Sequence, residues 1–192
     1  MTPITSALKT LLTAIVTTTV CTTAALAQSI VATPSSSTIA AGDTVSIDFM
    51  GKGFTDATFG GGFTLAFDPT VLALVSMTLP TRWEIFRSGG LLDPTSGTVS
   101  DVNGATFTPI GGDFLLATAT FRGVHDGTSA LSLSASSDFP FAKAGGLEIP
   151  VTFQGGSITV SSVPEPDSLA LLLVGVGGVA AARTLQRRRT AH

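Results

Sequence analysis

The chain of 192 residues has one cysteine, one tryptophan, two histidines and no tyrosine. Cys21 sits in an apolar N-terminal stretch, so a disulfide scaffold, a thiolate zinc site and a cysteine nucleophile are excluded from the globular part. With His192 at the end of the sequence, His125 stands alone in the middle, and a histidine-rich metal site is excluded as well. Charged residues make up only 12% of the chain, which leaves no basic face for nucleic acid. Hydrophobic residues make up 44%, too many for a disordered chain. The length suits one domain with targeting segments. Between residues 28 and 162, five Lys and Arg oppose eleven Asp and Glu, a net charge of −6. Such a surface favours solubility and disfavours polyanions.

The N-terminal segment 1–27 has the zones of a secretory signal peptide: Lys9, an uncharged stretch from Thr10 to Leu26, and small residues Ala25 and Ala27 ahead of Gln28 as the cleavage site. An uncleaved anchor is the alternative. Segment 163–192 begins with Pro164-Glu165-Pro166, continues with an uncharged run from Leu169 to Ala182, and ends with Arg183, Arg187, Arg188 and Arg189. Fourteen helical residues reach only about 21 Å, short of the ~30 Å hydrocarbon layer. Snorkelling of Arg183 extends the span, giving one transmembrane helix over about 168–186. The arginines orient it, with the globular part outside the cytoplasm.

Period-2 alternation dominates the segment 28–162. Val45, Ile47 and Phe49 alternate with Thr44, Ser46 and Asp48; Phe63, Leu65 and Phe67 with Thr64 and Ala66; Leu115, Ala117, Ala119 and Phe121 with Leu116, Thr118 and Thr120; Leu131 and Leu133 with Ser132 and Ser134. Leu147, Ile149, Val151 and Phe153 form a ladder confined to an edge by Pro150, and Ile158 and Val160 make a last short strand. Ala41-Gly42-Asp43, Gly60-Gly61-Gly62, Gly89-Gly90, Gly111-Gly112, Asp126-Gly127, Gly145-Gly146 and Gly155-Gly156 read as turns. Many short, half-buried strands without a helical period predict an all-β protein, two sheets packed face to face.

Two resemblances sharpen this. The Pro-Glu-Pro motif, short apolar helix and arginine cluster, in that order over about 30 residues, resemble the PEP-CTERM sorting signal. That resemblance implies recognition by an exosortase, an integral-membrane cysteine peptidase, after transient anchoring in the inner membrane of a Gram-negative bacterium that makes extracellular polysaccharide. A plain tail anchor is the alternative. Ala41-Gly42-Asp43-Thr44-Val45, Gly62-Phe63-Thr64-Leu65-Ala66-Phe67-Asp68-Pro69-Thr70-Val71-Leu72, Leu116-Ala117-Thr118-Ala119-Thr120-Phe121 and Gly156-Ser157-Ile158-Thr159-Val160 are similar to segments of a cohesin domain. This resemblance implies a jelly-roll sandwich of about nine strands, related in shape to some carbohydrate-binding modules. In that family one sheet face binds a dockerin, a calcium-loaded helical module; no short motif carries that face over to particular residues here.

Little in the sequence points to catalysis. His125 lies in a glycine-bracketed turn with no Gly-x-Ser-x-Gly elbow elsewhere. Glu84, Glu148 and the aspartates offer many carboxylate pairs and select none. Asp101-Val102-Asn103-Gly104 resembles a fragment of a calcium loop, but Ala105 follows and no glutamate closes it, so a polar turn is expected. No cofactor or metal is called for, although a calcium site assembled from several loops stays open. Asp68-Pro69 reads as turn chemistry that drops Leu72 into the core. Trp83 is the one candidate ligand contact: alternation through Thr81–Phe86 places it on a face with Ile85, as a core residue or as a sugar platform. The expectation is an exported, non-enzymatic module for adhesion or assembly. Its partner would be a protein or a polysaccharide on a sheet face, after signal peptidase and exosortase have acted. A carbohydrate-binding module, a dockerin-type scaffold and, last, a glycoside hydrolase are the alternatives.

Overall fold

The computed structural model describes residues 28–162. The expected signal peptide with Ala25 and Ala27, the Pro164-Glu165-Pro166 motif, the apolar run and the arginines lie outside the described residues. Among the described residues no helix is long and apolar enough to cross a membrane.

The strands are β1 (Ser29–Thr33), β2 (Ser36–Ala40), β3 (Thr44–Ala66), β4 (Leu72–Thr78), β5 (Ile85–Asp93), β6 (Thr98–Gly123), β7 (Gly127–Ala135), β8 (Ala142–Lys143), β9 (Leu147–Glu148), β10 (Thr152–Gln154) and β11 (Gly156–Ser161). Two of them are long enough to serve both layers. The first half of β3 pairs with β1 and with the second half of β6, which in turn pairs with β4. The second half of β3 pairs with β7 and with the first half of β6, which pairs with β5. β10 extends the first layer beside β1, while β11 and β2 extend the second beside β7. The result is a two-layered β-sandwich in which β3 and β6 fold over on themselves. Phe49 and Phe63, from the two halves of β3, meet across the interior with ring centroids 4.8 Å apart.

The core follows from the alternation. Ile47, Phe49, Phe63, Leu65, Phe121, Leu131, Ile158 and Val160 are buried, and the opposite positions form polar rows such as Ser46–Thr120 and Asp48–Thr118. Asp68 accepts hydrogen bonds from the Thr70 amide at 2.8 Å and the Thr70 hydroxyl at 2.6 Å. This closes the turn from which Leu72 enters the core.

Four local expectations are corrected. First, alternation shifts phase inside β6. Phe114 and Leu116 are buried, then Ala117, Ala119 and Phe121, because the pairing with β3 passes over Leu116. A bulge of this kind reverses which parity faces the core. Second, the ladder 147–153 is not one strand. Pro150 removes a donor, β9 ends at Glu148, β10 starts at Thr152, and Leu147 is exposed. Third, Gly60-Gly61-Gly62, Gly89-Gly90 and Gly111-Gly112 are not chain reversals but positions within β3, β5 and β6. Fourth, Asp101–Gly104 lies inside β6 rather than in a turn or calcium loop. The short strands β1 and β2 carry no clear alternation and are supplied by pairing alone.

A groove built on two left-handed bulges

Strand β5 departs from regular pairing with β6 once, β6 departs from regular pairing with β3 a few residues away, and each departure carries a non-glycine residue with positive φ. Ile85 pairs with Ala105 and Ser88 with Asn103, so Phe86 and Arg87 together oppose Gly104. Phe86 takes φ +49° to make that bulge. Further along, Phe63 of β3 pairs with Val102 and Leu65 with Val99, so Ser100 and Asp101 together oppose Thr64, while on the other side of β6 Gly90 stands opposite Asp101 in unbroken register. These two residues have φ +83° and +57°. A left-handed non-glycine residue costs on the order of 1–3 kcal/mol and persists only where its surroundings hold it. Bulges re-aim side chains, and here they turn Phe86 outward, 74% exposed, and Asp101 toward the loop that follows β7.

That loop, Ser136 to Phe141, folds back over the glycines of β3. The Gly62 amide donates to Phe139 O at 2.7 Å, and Ser136 Oγ donates to Asp101 Oδ1 at 2.7 Å. Ser136 Oγ also accepts from the Phe139 amide at 3.2 Å. Asn103 Nδ2 donates to the Asp101 carbonyl at 2.7 Å. Close approach explains the glycine triplet. A Cβ on Gly62 would lie 2.7 Å from Val102 O and 2.9 Å from Asn103 Cβ, and one on Gly61 would lie 2.8 Å from Phe141 Cα.

Two adjoining hollows result, of about 480 and 320 Å³, both bordered by Phe86, Asn103 and Phe139. A third, of about 520 Å³, continues past Leu91 to Ser100 along the β5–β6 hairpin. Phe86 and Leu91 are strongly exposed, Phe139 is 37% exposed, and Asn103 is buried at 4%. Arg87 and Asp101 flank the first hollow. Arg87 forms no ion pair among the described residues, where the pairs are Lys52–Asp113 and Lys143–Asp56.

The groove also has a definite position. β7 starts at Gly127, opposite Val160 of β11, and ends at Ala135, opposite Phe63. At ~3.3 Å per residue this places the groove about 26 Å from the end of β11. The chain leaves β11 at Ser161, so the groove occupies the far end of the second layer.

The residues singled out by sequence fall elsewhere. Trp83 is corrected from candidate ligand contact to core. It precedes β5, is 0% exposed, donates from Nε1 to Leu116 O at 3.1 Å and meets Phe114 edge-on at 5.6 Å. The carbonyl it engages belongs to the residue passed over in the β3–β6 register. His125 is exposed, with Nδ1 2.9 Å from Thr70 O. Glu84 accepts from Thr106 Oγ1 and the Phe107 amide, while Glu148 lies on β9 paired with Ala142. Among the described residues no group of three His, Cys, Asp or Glu is placed to hold a metal ion. Sequence reasoning missed Phe86 and Phe139 and read Asn103 only as part of a polar turn, because nothing in a linear pattern announces a left-handed phenylalanine or the loop that packs beside it. The one available signal was the glycine triplet, had it been read as close packing rather than as a turn.

Comparison with known proteins agrees with this architecture. The PEP-CTERM protein-sorting motif matches residues 162–189, which marks the chain for export and sorting. No curated protein matches the chain. Among solved structures, a type I cohesin–dockerin complex from Clostridium thermocellum superposes with TM-score 0.58 at 13% identity, covering 70% of this chain and 99% of that one. The non-cellulosomal cohesin of the archaeon Archaeoglobus fulgidus gives 0.56 at 17% identity, covering 71% and 92%. The sixth cohesin of Acetivibrio cellulolyticus scaffoldin B, in complex with a Cel5 dockerin, gives 0.58 at 14%, covering 70% and 99%. Identities this low speak for fold and leave the ligand open. The chain thus combines a sandwich with the cohesin fold and, over residues 162–189, a PEP-CTERM protein-sorting motif.

Proposed function

We propose that this protein is a non-enzymatic binding module for adhesion or assembly at the cell surface or in the extracellular matrix, and that the β5–β6 groove is its recognition site. The observation that carries this reading is the groove itself. Two strained non-glycine residues and two exposed phenylalanines sit at the end of the sandwich opposite to where β11 leads into the sorting motif. A chain held at a membrane by its sorting segment would present that end outward. Signal peptidase would act after Ala27 and an exosortase near Pro164-Glu165-Pro166, with the arginines on the cytoplasmic side until release. The rigid sandwich holds the site, and the site residues sit on bulges and a loop rather than in a catalytic constellation.

A dockerin-type scaffold role is the second reading, supported by the cohesin–dockerin complexes among the similar structures. It would place a protein on a polar sheet face, such as the row containing the Thr128–Thr159 hydroxyl pair.

The test has two arms. Intact masses are measured for protein recovered from membranes and from the medium. A membrane form that keeps Arg189 beside a medium form ending near Pro166 is expected; a medium form that retains the arginines overturns the sorting sequence. Retention on intact cells is then compared for wild type and the double variant Phe86→Ala/Phe139→Ala. Release of the variant is expected, and equal retention overturns the groove as recognition site.

A further inference from the structure

We infer that the β5–β6 groove takes an uncharged polysaccharide segment, an assignment that rests on the groove being the recognition site. The argument begins with Asn103. Its side chain is more than nine-tenths buried and its amide nitrogen is committed to Asp101 O, yet it borders both hollows between Phe86 and Phe139. Among the described residues no hydrogen bond is made to its Oδ1. A buried acceptor with no protein donor, in hollows shared with two phenylalanines, suits a ligand with apolar ring faces and hydroxyl edges. A purely apolar loop would leave that oxygen unpaired, at a desolvation cost.

Charge and shape narrow the class. The groups bordering the three hollows are Arg87 against Asp93, Asp101 and Asp138, within a body of net charge −6. An acidic polymer is repelled. A cationic peptide is drawn by the same carboxylates but offers no ring face to Phe86 and Phe139. A neutral glycan needs no net charge, and uses Arg87 as donor and the remaining carboxylate oxygens as acceptors for hydroxyls. The strip from Phe86 to Pro94 spans about 26 Å at ~3.3 Å per residue, which fits several linked rings rather than one.

The full chain, solubilised in detergent, is titrated calorimetrically with hexasaccharides of glucose, mannose and xylose, and with a galacturonic acid hexasaccharide as the acidic control. At least one neutral hexasaccharide is expected to bind, with affinity reduced about tenfold or more in Phe86→Ala and in Phe139→Ala. Phe86 is exposed, so its truncation leaves folding intact, as unchanged urea midpoints should show. The inference is overturned if no neutral hexasaccharide binds, if the acidic one binds as tightly, or if both variants bind as wild type does. It is also overturned if the phenylalanines instead hold two copies of the chain together, seen as a concentration-dependent dimer lost in Phe86→Ala. Should the sugars fail while Phe86→Ala/Phe139→Ala still leaves the cell surface, the glycan assignment falls and the recognition site stands.

Discussion

Replacing Trp83 separates a core role from a binding role more sharply than any other change. The indole is fully buried, packs edge-on against Phe114, and gives its only polar hydrogen to the carbonyl of the bulge residue Leu116. Trp83→Ala removes the ring and opens a cavity, a change that costs about 3–5 kcal/mol in well-packed interiors. Trp83→Phe keeps much of the packing but strands the Leu116 carbonyl, at about 1–3 kcal/mol. Against a total stability of roughly 5–15 kcal/mol, the alanine variant sits near the edge of folding and the phenylalanine variant well inside it. The assay is urea unfolding followed by circular dichroism, with m-values compared so that midpoint shifts report stability alone. Trp83 is also the chain's only tryptophan, so its native fluorescence should resist acrylamide quenching and become quenchable in urea. A loss below about 1 kcal/mol in Trp83→Ala, or ready quenching in the folded protein, would refute the core assignment. So would glycan binding abolished in Trp83→Phe without loss of stability.

Gly61→Ala puts a methyl group 2.8 Å from Phe141 Cα; overpacking of this kind costs about 1–3 kcal/mol, read as a lowered urea midpoint. Phe86→Gly relieves the positive φ, so stability should hold or rise by up to about 1 kcal/mol while groove binding weakens; a clear loss of stability would show that Phe86 is not strained. Acid should weaken the fold through three exposed carboxylates whose pKa values are lowered in the folded state. Asp68 is held by the Thr70 hydroxyl and amide, Asp93 by the Thr95 amide and Ser96, and Asp113 by Lys52 and the Gly53 amide. Because the folded values lie below the unfolded ones, their contribution is complete above the ordinary carboxylate range and is lost as pH falls below about 4. Urea midpoints should therefore be level from these groups between about pH 5 and 8 and drop in acid, less steeply in Asp113→Asn.

Most of the strand content was legible because each strand buries one face. Ile47 and Phe49, Phe63 and Leu65, and Ile158 and Val160 announce themselves by period-2 spacing, and Asp68-Pro69 announces its turn by side-chain chemistry. The groove was not legible, since it depends on failures of that period. The bulges at Phe86, against β6, and at Asp101, against β3, shift the register locally, and β1 and β2 are too short to stand out until β3 and β11 pair with them. Trp83 drew attention as the only large ring of its kind, but its place was decided by an unpaired carbonyl contributed 33 residues later in the chain.

Composition and order along the chain were enough to determine an acidic, all-strand body without reactive thiols and with a sorting segment after it, because these depend on local spacing and on residues that are simply missing. Tertiary structure alone decided which aromatic rings face water. A side chain's exposure is set by the strand lying opposite it, and β5, β6 and the Ser136–Phe141 loop, far apart in sequence, meet only when β3 and β6 fold over to close the sandwich.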